Sequence, residues 1–219
     1  MPRRIVQIEP RSKSLSRQRC NPLKLLWLAA LLAAIAGGLA TPACSPKPQG
    51  AAPQAQAQGP GGPFNLVDQD GKPADQSVLK GKWSVVFFGY TFCPDFCPTT
   101  LTKLGRVMTE LGPKANNVQV VFITVDPARD TPRQLKTYLA SPVFPKRIIG
   151  LTGAPDKISQ AARAYDVYYQ KSGEGADYTV DHSTALYLMD PNGDYRAVIA
   201  DGGTPAEMSQ QISQAMAGA

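Results

Sequence analysis

Only one histidine, His182, occurs in 219 residues, and cysteine is nearly as scarce, with Cys20, Cys44, Cys93 and Cys97 alone. Any imidazole chemistry therefore rests on one side chain. Beyond Cys44 neither sign of charge is in excess: seven of the 23 Lys and Arg precede Cys44 against the single acid Glu9, which leaves 16 basic and 16 acidic residues. The formal +6 belongs to the first segment. A near-neutral remainder speaks against a nucleic-acid-binding domain, which needs clustered basic charge of its own. Internal repeats are absent, and Ser45 to Pro63, "SPKPQGAAPQAQAQGPGGP", holds no aromatic or β-branched residue to bury. That composition predicts a solvated linker.

Ahead of the linker, Leu25 to Ala40 is an uncharged apolar run of 16 residues, short of the ~20 that span a bilayer comfortably. Basic residues before such a run stay on the cytoplasmic side, so the rest of the chain is expected to be exported. Cys44 sits in "TPACS", a small residue before a cysteine as at bacterial lipoprotein processing sites, although Thr41 and Pro42 depart from the residues usual there. The expected organisation is a signal or anchor segment over 1–44, a linker over 45–63 and one folded domain over 64–219. Tethering is by an uncleaved helix or by lipid on Cys44. Cys20 has no evident partner.

Within the domain, "WSVVFFGY" and "VQVVFITVD" are continuous apolar runs rich in β-branched and aromatic residues, the pattern of strands buried on both faces. Between them Leu101, Leu104, Val107, Met108 and Leu111 recur at helical spacing, with Pro98 placed as the first helical residue. Thr131 caps a helix from Pro132, "IIGLTG" is a third strand, and "APDKISQAARAYDV" a further helix. "STALYLMDPNGDYRAVIADGG" reads as a β-hairpin about Pro191-Asn192-Gly193, and Pro205 opens a last helix. Strand and helix units followed by a hairpin and a closing helix, with a thiol pair after the first central strand, predict an α/β thioredoxin-like fold, a central mixed sheet flanked by helices.

Cys93 and Cys97 lie in "GYTFCPDFCPTTL", each before a proline, which disfavours helix at both and places them in a loop leading to a helix N-terminus. Positive partial charge there is expected to lower the pKa of Cys97, the nearer thiol. Helical Cβ atoms four residues apart are ~5 to 6 Å apart, beyond the ~3.5 to 4.5 Å of a disulfide. A metal with ~2.3 Å bonds to sulfur tolerates more, and a flexible loop can still close. The spacing thus leaves a redox disulfide, a stabilising disulfide and a metal clamp all open. In a thioredoxin-like layout the segment before the hairpin packs beside this loop, which brings His182 to the thiols. Two thiolates with one imidazole favour copper or zinc. Asp181 is expected either to support the His182 ring or to cap a turn.

"FFGYTFCPDFCPTTL", "ITVDPARDTP" and "VDHSTALYLMDPNG" together resemble the Sco/SenC proteins, copper-binding thioredoxin-like assembly factors of cytochrome c oxidase, from about Phe64 to the C-terminus. The resemblance implies Cys93, Cys97 and His182 as ligands of one copper per chain, Cu(I) or Cu(II). It implies work on the dinuclear copper centre of oxidase subunit II, by copper delivery, by reduction of that subunit's cysteines, or both. Another copper chaperone or a thiol reductant is a further implied partner, and the bacterial periplasmic face of the inner membrane the implied location. Asp126 and Asp130 are not counted as ligands: Asp126 is expected to end a strand and Asp130 to pair with Arg129 or Arg133. The alternative is a thiol-disulfide oxidoreductase using Cys93 and Cys97. A peroxiredoxin-like site fits less well, since Thr91 is two residues before Cys93, not three. An inert structural disulfide is the remaining reading.

Overall fold

The computed structural model describes residues 59–218. The apolar run, Cys20 and Cys44 lie outside them; among the described residues no helix is long and apolar enough to cross a membrane. The two strongest strand patterns form β3 (Trp83–Gly89) and β4 (Val118–Thr124), seven residues each and buried throughout. They pair in parallel, Trp83 beside Val118 through Gly89 beside Thr124. Phe87, Phe88 and Phe122 are wholly buried, each contributing roughly 1.5–3 kcal/mol by burial.

Around this centre the sheet is completed by β1 (Asn65–Asp68), β2 (Pro73–Asp75), β5 (Ile148–Thr152), β8 (Leu186–Met189) and β9 (Tyr195–Ile199), in the order β2-β1-β5-β4-β3-β8-β9. It is mixed: β3, β4 and β5 run parallel, the others antiparallel to their neighbours. Four helices flank it, α1 (Phe96–Leu111), α2 (Pro132–Leu139), α3 (Pro155–Ala164) and α4 (Pro205–Ala217). Helix α1 turns Leu101, Leu104, Val107 and Leu111 inward and packs on α4, while α2 lies on β5 and α3 on β1. Thr131 and Thr204 cap α2 and α4, the latter in a reciprocal box with Glu207. This is the thioredoxin-like arrangement the pattern predicts.

Three details differ from the sequence reading. Helix α1 begins at Phe96, not Pro98, so Cys97 is in its first turn; a proline is tolerated there because the first N–H groups of a helix have no intrahelical acceptor anyway. A separate two-stranded sheet of β6 (Tyr169–Ser172) and β7 (Thr179–His182) precedes the predicted hairpin. Gly61, within the expected linker stretch, donates its N–H to the Ala164 carbonyl at 2.7 Å.

Topology sets where the chemistry gathers. Parallel β3 and β4 send their following loops, 90–95 and 125–131, to the same end of the sheet. On the other side of β3, Leu186 of β8 lies opposite Phe87, so His182, four residues earlier, arrives at that end too.

Candidate metal centre

The chain folds Cys93, Cys97 and His182 together: Cys93 Sγ, Cys97 Sγ and a His182 ring nitrogen lie within 4.8 Å of one another. Among the described residues this is the one such grouping of His, Cys and acidic side chains. Cys97 is fully buried and Cys93 half-buried, and the two are not joined. Room for the Cys97 sulfur exists because β3 ends in Gly89, where a Cβ would fall 2.8 Å from Cys97 Sγ.

The thiols are strongly unequal. Cys93 is lowered to about 5, first by the thiol hydrogen bond from Cys97 and then by the Cys97 and Asp95 backbone N–H groups and nearby His182, against the opposing effect of burial. Cys97 N–H stands 3.4 Å from Cys93 Sγ. Cys97 moves well above the ordinary thiol range, because its proton is held by the Cys93 sulfur and because it is buried. The expectation of a lowered Cys97 is thus reversed. A helix N-terminus stabilises the anion lying ahead of its free N–H groups, and with α1 starting at Phe96 that position belongs to Cys93. Iodoacetamide is therefore expected to modify Cys93 of the reduced chain first, with a pH midpoint of about 5 rather than the ~8.5 of a free thiol. Peptide mass mapping across a pH series checks this, and Cys97 reacting first contradicts it.

His182 is oriented from three sides. Nδ1 lies 2.8 Å from the Ser183 carbonyl oxygen; since a carbonyl only accepts, Nδ1 carries the proton and Nε2 keeps its lone pair. That lone pair faces Cys97 Sγ at 3.7 Å. Tyr90 and Phe96 meet the ring edge to face, at centroid separations of 5.9 and 6.2 Å. Asp181 has no part in this: alternation along β7 points it outward and exposed, and the Ser183 carbonyl takes the supporting position expected of it.

The aspartates also divide differently from expectation. Asp126, not Asp130, pairs with Arg129, and it accepts the Tyr178 hydroxyl at 2.6 Å. Arg129 stacks on Tyr178 at 3.6 Å and on Phe92 at 4.7 Å, and donates to the Ala176 and Tyr178 carbonyls. It thereby ties the segment between β6 and β7 to the cysteine loop. Asp130 is wholly buried and accepts from Thr91 N–H at 3.0 Å and from the Thr91 and Thr124 hydroxyls at 2.6 Å each. Burial nonetheless raises its pKa. The Thr91 hydroxyl is thus turned to Asp130.

Sequence reasoning missed Tyr90, Phe96, Arg129 and the Ser183 carbonyl. The aromatics interleaved with the thiols in "YTFCPDFC" were the one signal available. Two ligands at ~2.0 to 2.3 Å from an ion are at most ~4 to 4.6 Å apart, so the three donors close on one ion with small shifts. Soft sulfur with nitrogen fits copper or zinc and disfavours the oxygen-seeking cations.

A family model described as SCO1/SenC matches residues 52–217. The chain is 46% identical over 133 residues to the mitochondrial protein SCO1 homolog 1 of Arabidopsis thaliana, covering 60% of this chain and 39% of that protein. It spans two fifths to about half the length of the first curated relatives it matches. The structure of Bradyrhizobium japonicum ScoI with copper bound superposes with a TM-score of 0.65 at 42% identity, covering 70% of this chain and 98% of that one. BsSco, described as a member of the Sco family of cytochrome c oxidase assembly proteins with a disulfide switch, superposes at 0.59 with 27% identity, over 73% and 93% of the two chains.

Proposed function

The chain belongs to the SCO1/SenC family, and on that premise we propose that it is a copper metallochaperone tethered to the periplasmic face of a bacterial inner membrane, serving assembly of the dinuclear copper centre of cytochrome c oxidase subunit II. The observation that carries this is the approach of Cys93 Sγ, Cys97 Sγ and a His182 ring nitrogen to within 4.8 Å. Copper bound in the ScoI neighbour supports copper as the cargo. Cys93 and Cys97 supply thiolates and His182 supplies Nε2, and a site with three protein donors leaves a position for an incoming thiolate of the recipient, so cargo passes by ligand exchange. The organisation into anchor (1–44), linker (45–63) and copper domain (64–219) is part of the proposal, with a helix or lipid on Cys44 as the tether.

Anaerobic copper titration of the reduced full chain tests it. One copper per chain, removed by each of Cys93→Ala, Cys97→Ala and His182→Ala, is expected; uptake unaffected by all three overturns the site.

A second reading is favoured by the unequal thiols. A half-buried, low-pKa Cys93 is placed to attack a disulfide of a partner, and buried Cys97 to resolve the mixed disulfide, releasing the partner as a dithiol and leaving Cys93 and Cys97 oxidised to a disulfide. Subunit II cysteines are one substrate for such a thiol-disulfide oxidoreductase, and another thiol reductant must then restore the pair.

A further inference from the structure

The charge balance of the folded part conceals a separation between the two ends of the sheet. At the end opposite the cysteine loop, Lys82 precedes β3, Lys114 lies in the 3-10 turn before β4, and Lys146 and Arg147 precede β5. Lys82 Nζ donates to the Asn116 carbonyl at 3.2 Å, and Arg147 Nη1 lies 3.3 Å from Asn116 Oδ1. Arg106 of α1 joins Lys146 and Arg147 around a cavity of about 490 Å³ with no acidic residue in its lining. Its outer wall, the loop over 142–147, presses so closely on α1 that a Cβ on Gly105 would fall 2.1 Å from the Val143 carbonyl oxygen. The Val143 side chain stands 55% exposed beside these cations. The acids toward this end include Glu110, Asp194, Asp190, held by Arg196, and Asp70, paired with Lys136.

The described chain enters at this same end. Gly59 packs on the Tyr195 ring; Tyr195 pairs with Met189, and Met189 with Ser84, two residues from Lys82. Around the thiols, by contrast, the exposed acids Asp95, Asp177 and Asp181 outnumber the exposed base Lys171, whose ammonium lies over the Tyr178 ring.

We infer that the basic end is a docking surface for anionic lipid headgroups, with Val143 as its apolar tip, so that the domain stands on the membrane with Cys93, Cys97 and His182 facing away from it. The inference rests on the tether reading. An acidic protein matches the charge too, but the route of the chain favours lipid. Gly59 enters at this end, so a tether ahead of it brings these cations, before the thiols, to the surface where headgroup attraction acts.

The test is lysine acetylation of the full chain on vesicles, mapped by mass spectrometry. With about one third phosphatidylglycerol, Lys82, Lys114 and Lys146 are expected to react roughly threefold or more slowly than on phosphatidylcholine alone. Lys171, near the thiols, keeps its rate, and the difference disappears in high salt. The triple variant Lys114→Glu, Lys146→Glu, Arg147→Glu is expected to lose the slowing at Lys82 while taking up copper like the parent. Equal rates on both lipids overturn the inference, as does slowing produced by poly-glutamate but not by phosphatidylglycerol, which assigns the surface to an acidic protein. Flotation with phosphatidylcholine vesicles reads the tether separately: a chain that floats without lipid-dependent slowing sinks this inference alone, and one that floats with neither lipid sinks both.

Discussion

A His182→Ala chain is expected to lose tight copper binding, with affinity falling more than about 100-fold, while its thiols still alkylate and still close to a disulfide. The asymmetry is one of position. Nε2 faces Cys97 Sγ with its lone pair free, because Nδ1–H is committed to the Ser183 carbonyl, so removing the ring removes a donor that nothing nearby replaces. The largest causes lowering Cys93 come from Cys97 and the α1 terminus, with His182 contributing least, so the reactive thiolate survives. Competition with a chromogenic copper chelator reads the first effect and exchange with glutathione disulfide the second. Parental affinity in the variant contradicts the three-donor site; loss of both activities together contradicts the separation of copper binding from thiol exchange.

Asp130→Ala is expected to produce the largest loss of stability, about 2 to 4 kcal/mol, since it strands the buried Thr124 hydroxyl and the half-buried Thr91 N–H and hydroxyl, and unpaired buried groups cost ~1 to 3 kcal/mol each. Net stabilities are only ~5 to 15 kcal/mol, so the urea midpoint of the full chain falls steeply. The damage reaches the metal centre as well. Thr91, which gives Asp130 both its N–H and its hydroxyl, is two residues from Cys93, and its hydroxyl also accepts from Gln134 of α2 at 3.2 Å. Copper affinity is therefore expected to drop alongside the midpoint. An unchanged midpoint contradicts a structural role for the buried carboxylate.

How legible these features were depended on how local their causes are. Strands β3 and β4 are apolar from end to end and buried on both faces, so their sequences could mean little else. The β6–β7 pair was invisible for the opposite reason: "YQKS" and "TVDH" bury little beyond Val180, so no hydrophobic pattern announces them, though His182 sits at the end of one. The grouping of Cys93, Cys97 and His182 was readable through the three motifs, whereas the ranking of the two thiols was not. It turned on whether α1 begins at Phe96 or Pro98, a difference of two residues that decides which sulfur lies ahead of the helix. Asp126 and Asp130 exchanged roles because burial against Thr91 and Thr124 is a long-range outcome. The separation of charge escaped for the same reason, as a count of 16 against 16 says nothing about which end of a sheet each residue occupies.

Two of the three proposed donors stand in the loop after β3 and in the first helix, whereas the third stands on β7, whose only strand partner among the described residues is β6. An ion shared among them is a cross-link between residues 85 positions apart, joining an appendage to the body. Lifting that small ribbon, which draws only Val180 out of the core, turns the proposed three-toothed chelate into a two-toothed one. On the proposed copper-carrier reading, the hold on the cargo is then governed by the cost of one hinge, with Arg129, which fastens the ribbon's turn to the cysteine loop, as its latch.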